Sequence, residues 1–353
     1  MSSCCGCLII KYKILPYKSL SLYVNLCTQY MTNKEAYKLF CEDHPEVPLP
    51  AQYWWMNILC KNKEWDVIII RNDQQEIIAT LPYLLVRKIG MKIILQPTLS
   101  QTNGIWFANE DSLSVEDKEK ICSAILCQLK QLHLQWYCQF YDYRFETTQP
   151  FESAGYQVAM RRTYVIEDLS DLDHVFSTFT SSKQRHIRKA YRNGLKVDWD
   201  MSATAFYIFH TESLLQRGKK NHNTQEVEVS LCEEAMNRGQ GAILRVKDAE
   251  GNTHAALFIA WNSEAGYYMI PATDFNYKAS GASTLIVWEA IKFLQDKTKR
   301  FDFEGSMDPA IANSYRQYGT KEIAYPCIEK TNSILILLWK RLKARQGGKK
   351  KQQ

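Results

Sequence analysis

Residues 254–283 read HAALFIAWNSEAGYYMIPATDFNYKASGAS, and their order points to one kind of fold. An apolar run, AALFIAW, is followed by a short polar turn and a second run, GYYMIPATD; each is apolar and β-branched or aromatic enough to be a buried strand. A turn of small residues then opens the helical pattern TLIVWEAIKFLQDK. A strand, a small-residue turn and a helix N-terminus in succession make an anion site, because unpaired first-turn N–H groups point outward at the positive end of the helix dipole. The turn supplies Lys278, Ser280, Gly281, Ala282 and Ser283 as candidate donor-binding residues, with Gly281 read as leaving room for a phosphate. FDFEG (301–305) reads as a further strand, and Asp308-Pro309 as an N-cap and first turn of a helix ending at Tyr318-Gly319.

This order resembles the acyl-donor half of a GNAT-type acyltransferase. More narrowly it resembles the Fem-like branch, which includes the peptidoglycan-bridge aminoacyltransferases and the BioF-type and cellulose-biosynthesis-type acetyltransferase-like proteins. WEAIKFL (288–294), FDFEGS (301–306) and IANSYRQYGT (311–320) carry the resemblance, the last being similar to the family's aromatic-Lys-x-x-aromatic-Gly ending. It extends loosely over residues 31 to 330. The departures are Lys278 and Ser283 at the first and last positions of the phosphate signature, and Arg316 where the family has Lys.

The resemblance implies an α/β protein of two tandem GNAT-like lobes, with mixed central sheets flanked by helices. It further implies an activated acyl donor as co-substrate, namely acyl-coenzyme A, aminoacyl-tRNA or an acyl carrier protein, with no metal. The reaction would move an acyl or aminoacyl group to an amine on a cell-envelope sugar or peptide precursor. Tyr315 and Arg316 match the family's aromatic-Lys pair, which implies a place against the donor's carbonyl or phosphate.

Two halves of similar layout follow from the pattern of runs. The first has WDVIIIRND, EIIATLPYLLVRK and MKIILQP, then GIWF, a helix from Ser114 to Leu134 and the strand WYCQFYDY. The second has ILRVKD, AALFIAW and GYYMIP, then the helix from Gly281 and FDFEG. The expected division is a non-native or disordered extension (1–30), a degenerate first lobe (31–165) without a Gly-rich turn, a donor-binding lobe (166–332), and an amphipathic helix with a basic tail (333–353). Met31, followed by the helix start Thr32-Asn33-Lys34-Glu35, is the expected natural start.

With 353 residues, 46% of them hydrophobic, the chain can bury one large or two ordinary cores. The net charge of +6 comes from the ends: residues 1–30 hold three Lys and no acid, residues 333–353 seven Lys or Arg and no acid, and the body 34 basic against 38 acidic residues. A generally basic nucleic-acid-binding surface and sequence-specific DNA binding are therefore not expected. Four of the 11 cysteines crowd into the first 30 residues and the other seven are scattered singly, as reduced cytoplasmic thiols are. No apolar run reaches the roughly 18 residues of a membrane span. The stretch SILILLWKRLKARQGGKKKQQ could be a helix packed on the body with a solvated tail, or a contact with the inner membrane face suited to a lipid-linked acceptor.

Between the halves, no acid occurs from His174 to Val197, and Arg185, Arg188, Lys189 and Arg192 share one helical face. This is either a solvated face or a patch for a large anionic substrate. For the chemistry, Asp302 and Glu304 alternate with Phe301 and Phe303, which on a strand puts both carboxylates on one face. Glu304 is the first candidate for general base, with Asp302 next and with Arg316 beside the same reacting centre. Two other readings stay open: aminoacyl-tRNA-dependent peptidoglycan-bridge formation, and a catalytically inactive GNAT scaffold binding an anionic partner.

Overall fold

The computed structural model describes residues 31–340 and Leu342. The expected extension 1–30 and most of the basic tail lie outside the described residues.

Helix α1 (Asn33–Asp43) begins where the sequence places it, at a capping box in which the Thr32 side chain accepts from the Glu35 N–H and Glu35 accepts from the Thr32 N–H at 2.8 Å. It is followed by α2 (Tyr53–Leu59), β1 (Glu64–Arg71), β2 (Ile77–Lys88), β3 (Met91–Leu95), the short β4 (Trp106–Phe107), α3 (Val115–Gln131) and β5 (Trp136–Phe140). Next come α4 (Gln149–Ser153), β6 (Gln157–Ile166), α5 (Leu172–Thr178), the basic helix α6 (Ser181–Arg192), β7 (Lys196–Asp198), α7 (Ala203–Leu215) and α8 (Gln225–Asn237). The chain continues with β8 (Gly241–Lys247), β9 (Thr253–Trp261), β10 (Ala265–Thr273), α9 (Ala282–Leu294), β11 (Arg300–Asp302), α10 (Pro309–Arg316), β12 (Lys321–Thr331) and a helix α11 over 334–340.

Both halves belong to one sheet of 12 strands among the described residues, in the order β1-β2-β3-β5-β12-β6-β11-β10-β9-β8-β7, with β4 on β2. Most neighbours are antiparallel; β3–β5 and β10–β11 are parallel. The mixed α/β architecture of two tandem GNAT-like lobes is thus present, with the two sheets continuous. Strand β9 is buried on both faces over 254–261, which explains its unbroken apolar run: helices cover it above and below.

The core has three parts. One face of the sheet carries a cluster common to both halves, in which Tyr37, Trp55 and Met56 of the first meet Phe206, Leu231, Phe258 and Met269 of the second. The other face carries two separate clusters, around α3 and β5 in the first half and around α6, α9 and α10 in the second.

Packing of α6 on α9 explains Gly281 in a way the sequence did not suggest. Gly281 is the N-cap of α9 with φ +89°, and a Cβ there would lie 2.5 Å from the His186 carbonyl oxygen on α6. The glycine admits a neighbouring helix. Gly194 at the end of α6 has φ +73° but open space around it. Gly281→Ala should therefore cost about 2–4 kcal/mol, combining left-handed strain with overpacking, while Gly194→Ala should cost about 1–2 kcal/mol. Denaturant titration of the two variants measures the difference; equal losses would mean that the helix contact is not constraining.

Candidate active site at the junction of the lobes

Strand β10 pairs with β11 only from Ala265 to Tyr267, opposite Arg300 to Asp302. β10 then runs on to Thr273 against β9, past a bulge between Tyr268 and Ile270, while β11 stops. Beyond Tyr267, β10 thus has no partner among the described residues on its β11 side. Asp302, Phe303 and Glu304 lie where that pairing stops, the first two buried and Glu304 half-buried.

FDFEG does not continue as a strand to Gly305. β11 ends at Asp302, and Glu304 and Gly305 take left-handed φ values of +57° and +65°. Gly305 must be glycine, because a Cβ would lie 2.2 Å from the Arg162 carbonyl oxygen on β6. A carboxylate residue held at positive φ is the sort of backbone strain that gathers at functional sites. Asp302 fixes the turn: its Oδ1 accepts from the Glu304 N–H at 2.7 Å and from the Thr163 hydroxyl at 2.5 Å. The two carboxylates meet, but through this turn rather than through strand alternation.

Their environment disfavours negative charge. Burial pushes the Asp302 carboxyl up to about 6, against the lowering effects of Thr163, the Glu304 N–H and Arg300. Burial and then the neighbouring Asp302 push Glu304 up to about 8. Glu304 Oε1 is enclosed and has no hydrogen-bond partner among the described residues, so it is not an ordinary acceptor of backbone N–H bonds. At neutral pH the pair therefore holds a proton where β10 parts from β11.

The first half contributes to the same place. The turn after β5 holds Asp142, Tyr143 and Arg144; Arg144 pairs with Asp142 at 2.8 Å. The Arg300 guanidinium donates to the Tyr143 hydroxyl and lies 5.1 Å from its ring centre. The fields of Asp302 and Glu304 reach Tyr315 and Tyr325, and with Asp142 and Arg300 they also reach Tyr267. Asp142, Tyr143, Arg144, Thr163 and Arg300 were missed from sequence because they come from three separated segments whose meeting depends on strand order.

Tyr315 lies in the aromatic wall of this site, 4.8 Å from Phe303 and 6.0 Å from Tyr268 between ring centres. Arg316 is engaged differently. Its guanidinium binds the Glu322 carboxylate at 2.5 Å and the Tyr164 hydroxyl at 3.2 Å, and it shares that carboxylate with Arg162, which pairs with it at 3.0 Å.

The turn before α9 and the basic helix α6 adjoin each other. Lys189 donates to the Ala279 carbonyl at 3.0 Å, and Gly281 packs on His186. At the turn, Gly281 and Ala282 are buried, Ser280 is half-buried and accepts from the Ala282 N–H at 3.2 Å, and Lys278 and Ser283 are exposed. The Lys278 ammonium lies 4.1 Å over the Phe275 ring. Arg185, Arg188, Lys189 and Arg192 are exposed, so the accessible cations of helix and turn form one neighbourhood. Beneath them Lys183 is buried, donates to Ser314 Oγ at 3.2 Å and lies 4.1 Å over the Tyr318 ring; burial pushes its ammonium down to about 8. Among the described residues no group of three or more His, Cys, Asp or Glu is placed to hold a metal ion.

No protein-family model and no curated protein matches the chain. Solved structures do. FemX superposes with a TM-score of 0.69 at 12% identity, over 88% of this chain and 98% of that one. L-PGS from Bacillus licheniformis superposes with a TM-score of 0.53 at 11% identity, over 79% and 88%. The C-terminal domain of an Agrobacterium fabrum protein provisionally named lysylphosphatidylglycerol synthetase gives 0.53 at 8% identity, over 82% and 90%. At such identities the likeness is one of fold alone: the chain has the fold of FemX.

Proposed function

We propose that the chain is an acyltransferase that moves an acyl or aminoacyl group from an activated donor to an amine of a cell-envelope sugar or peptide precursor. The observation that carries this reading is the Asp302–Glu304 pair where β10 parts from β11, with Glu304 Oε1 unpartnered and the carboxyl pushed up to about 8. An amine must lose its proton before or during attack on an acyl carbonyl, and a base with an affinity near neutrality is matched to that task. Glu304 would take the proton as the nitrogen–carbon bond forms and the donor's leaving group departs. Arg300, its Nε unpartnered, and Tyr143, to which it donates, would stabilise the oxyanion. Asp302 positions Glu304 through the turn and raises its proton affinity.

The donor would lie along the free length of β10, with its anionic part at the turn before α9, where Lys278, Ser283 and the α6 cations Arg185, Arg188, Lys189 and Arg192 gather. Coenzyme A, an acyl carrier protein and aminoacyl-tRNA all present phosphates that fit such a surface. FemX and the protein named for lysylphosphatidylglycerol synthesis favour an envelope acceptor and an aminoacyl donor by analogy of fold. We place the enzyme in the cytoplasm, in keeping with its seven unpaired described cysteines. Arg316, held by Glu322, has a supporting role for β12 in this reading rather than one at the reacting carbonyl.

Three outcomes test the proposal. In a thermal-shift panel of acetyl-coenzyme A, acyl carrier protein and charged tRNA, one donor should raise the melting temperature, because a ligand that binds the folded state alone stabilises it; no response to any would favour the inactive scaffold. With that donor, Glu304→Gln should lower kcat about 100-fold with little change in donor affinity, and kcat/KM of the native enzyme should rise with pH through about 8. Near-normal turnover would remove Glu304 as the base.

Folding stability gives a readout independent of turnover. The Glu304 carboxyl is raised from 4.5 to about 8, so the folded chain binds the proton more tightly than the unfolded one, and the stabilisation this gives is lost as pH rises through that window. Glu304→Gln, which cannot ionise, should flatten the decline of melting temperature between pH 5 and pH 8.5. An unchanged slope would mean that the carboxyl is ordinary.

A further inference from the structure

The end of the described chain departs from the usual pattern of a surface helix. A helix on a soluble body sets its apolar stripe inward and its polar residues outward. In α11, Ile336 faces the body at 6% exposure, whereas Ile334, Leu335 and Leu338 are 75%, 71% and 48% exposed, and Leu342 beyond them is 58% exposed. Successive 100° steps put residues 334, 338 and 342 on one outward face. The helix is therefore apolar on its outward face as well as on the face that Ile336 turns inward.

A second element puts apolar surface in the same place. The hairpin between β2 and β3 is tipped by Ile89, which is 87% exposed at φ +50°. Ile89, Val86, Ile93, Trp136, Leu335 and Trp339 line one groove between the hairpin and α11. Trp136 and Trp339 meet edge-on at 6.1 Å in its floor. Contiguous exposed apolar surface made by two elements marks an interaction site.

Charge identifies the occupant. Lys88 flanks the groove, and the chain from 340 to 353 carries seven Lys or Arg and no acid. The nearby acids are already paired: Glu64 with Arg87 at 2.6 Å, and Glu329 with Lys340. An outward apolar helix, an exposed hydrophobic hairpin tip, two tryptophans and a tail with six Lys or Arg beyond Lys340 and no acid form a surface complementary to an anionic bilayer. We infer that this face docks on an anionic lipid bilayer, with Ile89, Ile334, Leu338 and Leu342 entering the headgroup layer and the tail pairing with lipid phosphates. Among the described residues no helix is long and apolar enough to cross a membrane, so the contact is peripheral. It stands independently of the acyl-transfer reading, since lipid binding requires neither donor nor turnover.

Co-sedimentation of the full chain with phosphatidylcholine vesicles, with and without about one-third phosphatidylglycerol, tests it. Anionic vesicles should retain the protein about 10-fold better than neutral ones at low salt, and high salt should remove much of that preference. Ile334→Glu with Leu338→Glu should lower retention about 10-fold, as should Ile89→Glu alone, which sits on a different element and guards against misfolding of α11. Replacing Lys349, Lys350 and Lys351 by Gln should weaken binding and flatten its salt dependence. Equal retention by neutral vesicles, or retention unaffected by both apolar variants, would overturn the inference. So would a dimer in light scattering that Ile334→Glu with Leu338→Glu dissolves, because the face would then belong to a second copy of the chain.

Discussion

The pairing of β12 with β5 on one side and β6 on the other holds the molecule together. Cys327–Thr331 pair with Trp136–Phe140, and Lys321–Glu329 pair with Gln157–Val165, both antiparallel. Without β12 the sheet would be two sheets, each with an open edge beside the other. With it, the turn after β5 is carried to the end of β11, and Tyr143 reaches Arg300. The cluster common to both halves on the opposite face follows from the same continuity, since α2 and α8 can meet over one sheet but not over two.

That constraint also accounts for the electrostatics of the site. Asp302 and Glu304 lie where strands from both halves converge, so bulk water is displaced from several directions and the carboxyls hold their protons more tightly. The turn that holds Glu304 depends on contacts to β6 that a side chain at 305 would destroy. Preorganisation here is thus a matter of backbone geometry as much as of charge, and the strain at Glu304 is sustained by the neighbouring strand.

Local pattern made much of this legible. The capping box at Thr32, the wholly apolar β9 and the N-cap at Asp308, whose side chain accepts from the Ala310 and Ile311 N–H groups, follow from short-range chemistry and stand as read. Residue type and position single out Asp302 and Glu304 as candidates, although the geometry that unites them is a left-handed turn that alternation does not suggest. The sequence offers Gly281 as space for a ligand, whereas the nearest neighbour of that space is α6; a glycine in sequence announces close approach without saying of what. The partners from the first half were invisible because they depend on which strand lies beside which, a property set by long-range pairing. Arg316 shows the opposite limit: its match to a motif is local, while Glu322, which pairs with it, arrives on the next strand.

The late position of β12 in the chain has a consequence for synthesis. β5 is complete at Phe140, but the strand that covers its edge begins at Lys321 and reaches Phe140 only with Cys327. At about 5–20 residues per second, the intervening chain takes roughly 10–40 s to emerge. Throughout that interval a half-buried strand with aromatic side chains presents unpaired backbone groups on the ribosome, the kind of edge that recruits other strands. The nascent first half is therefore a natural client for chaperones, and its vulnerability ends only when the final strand arrives.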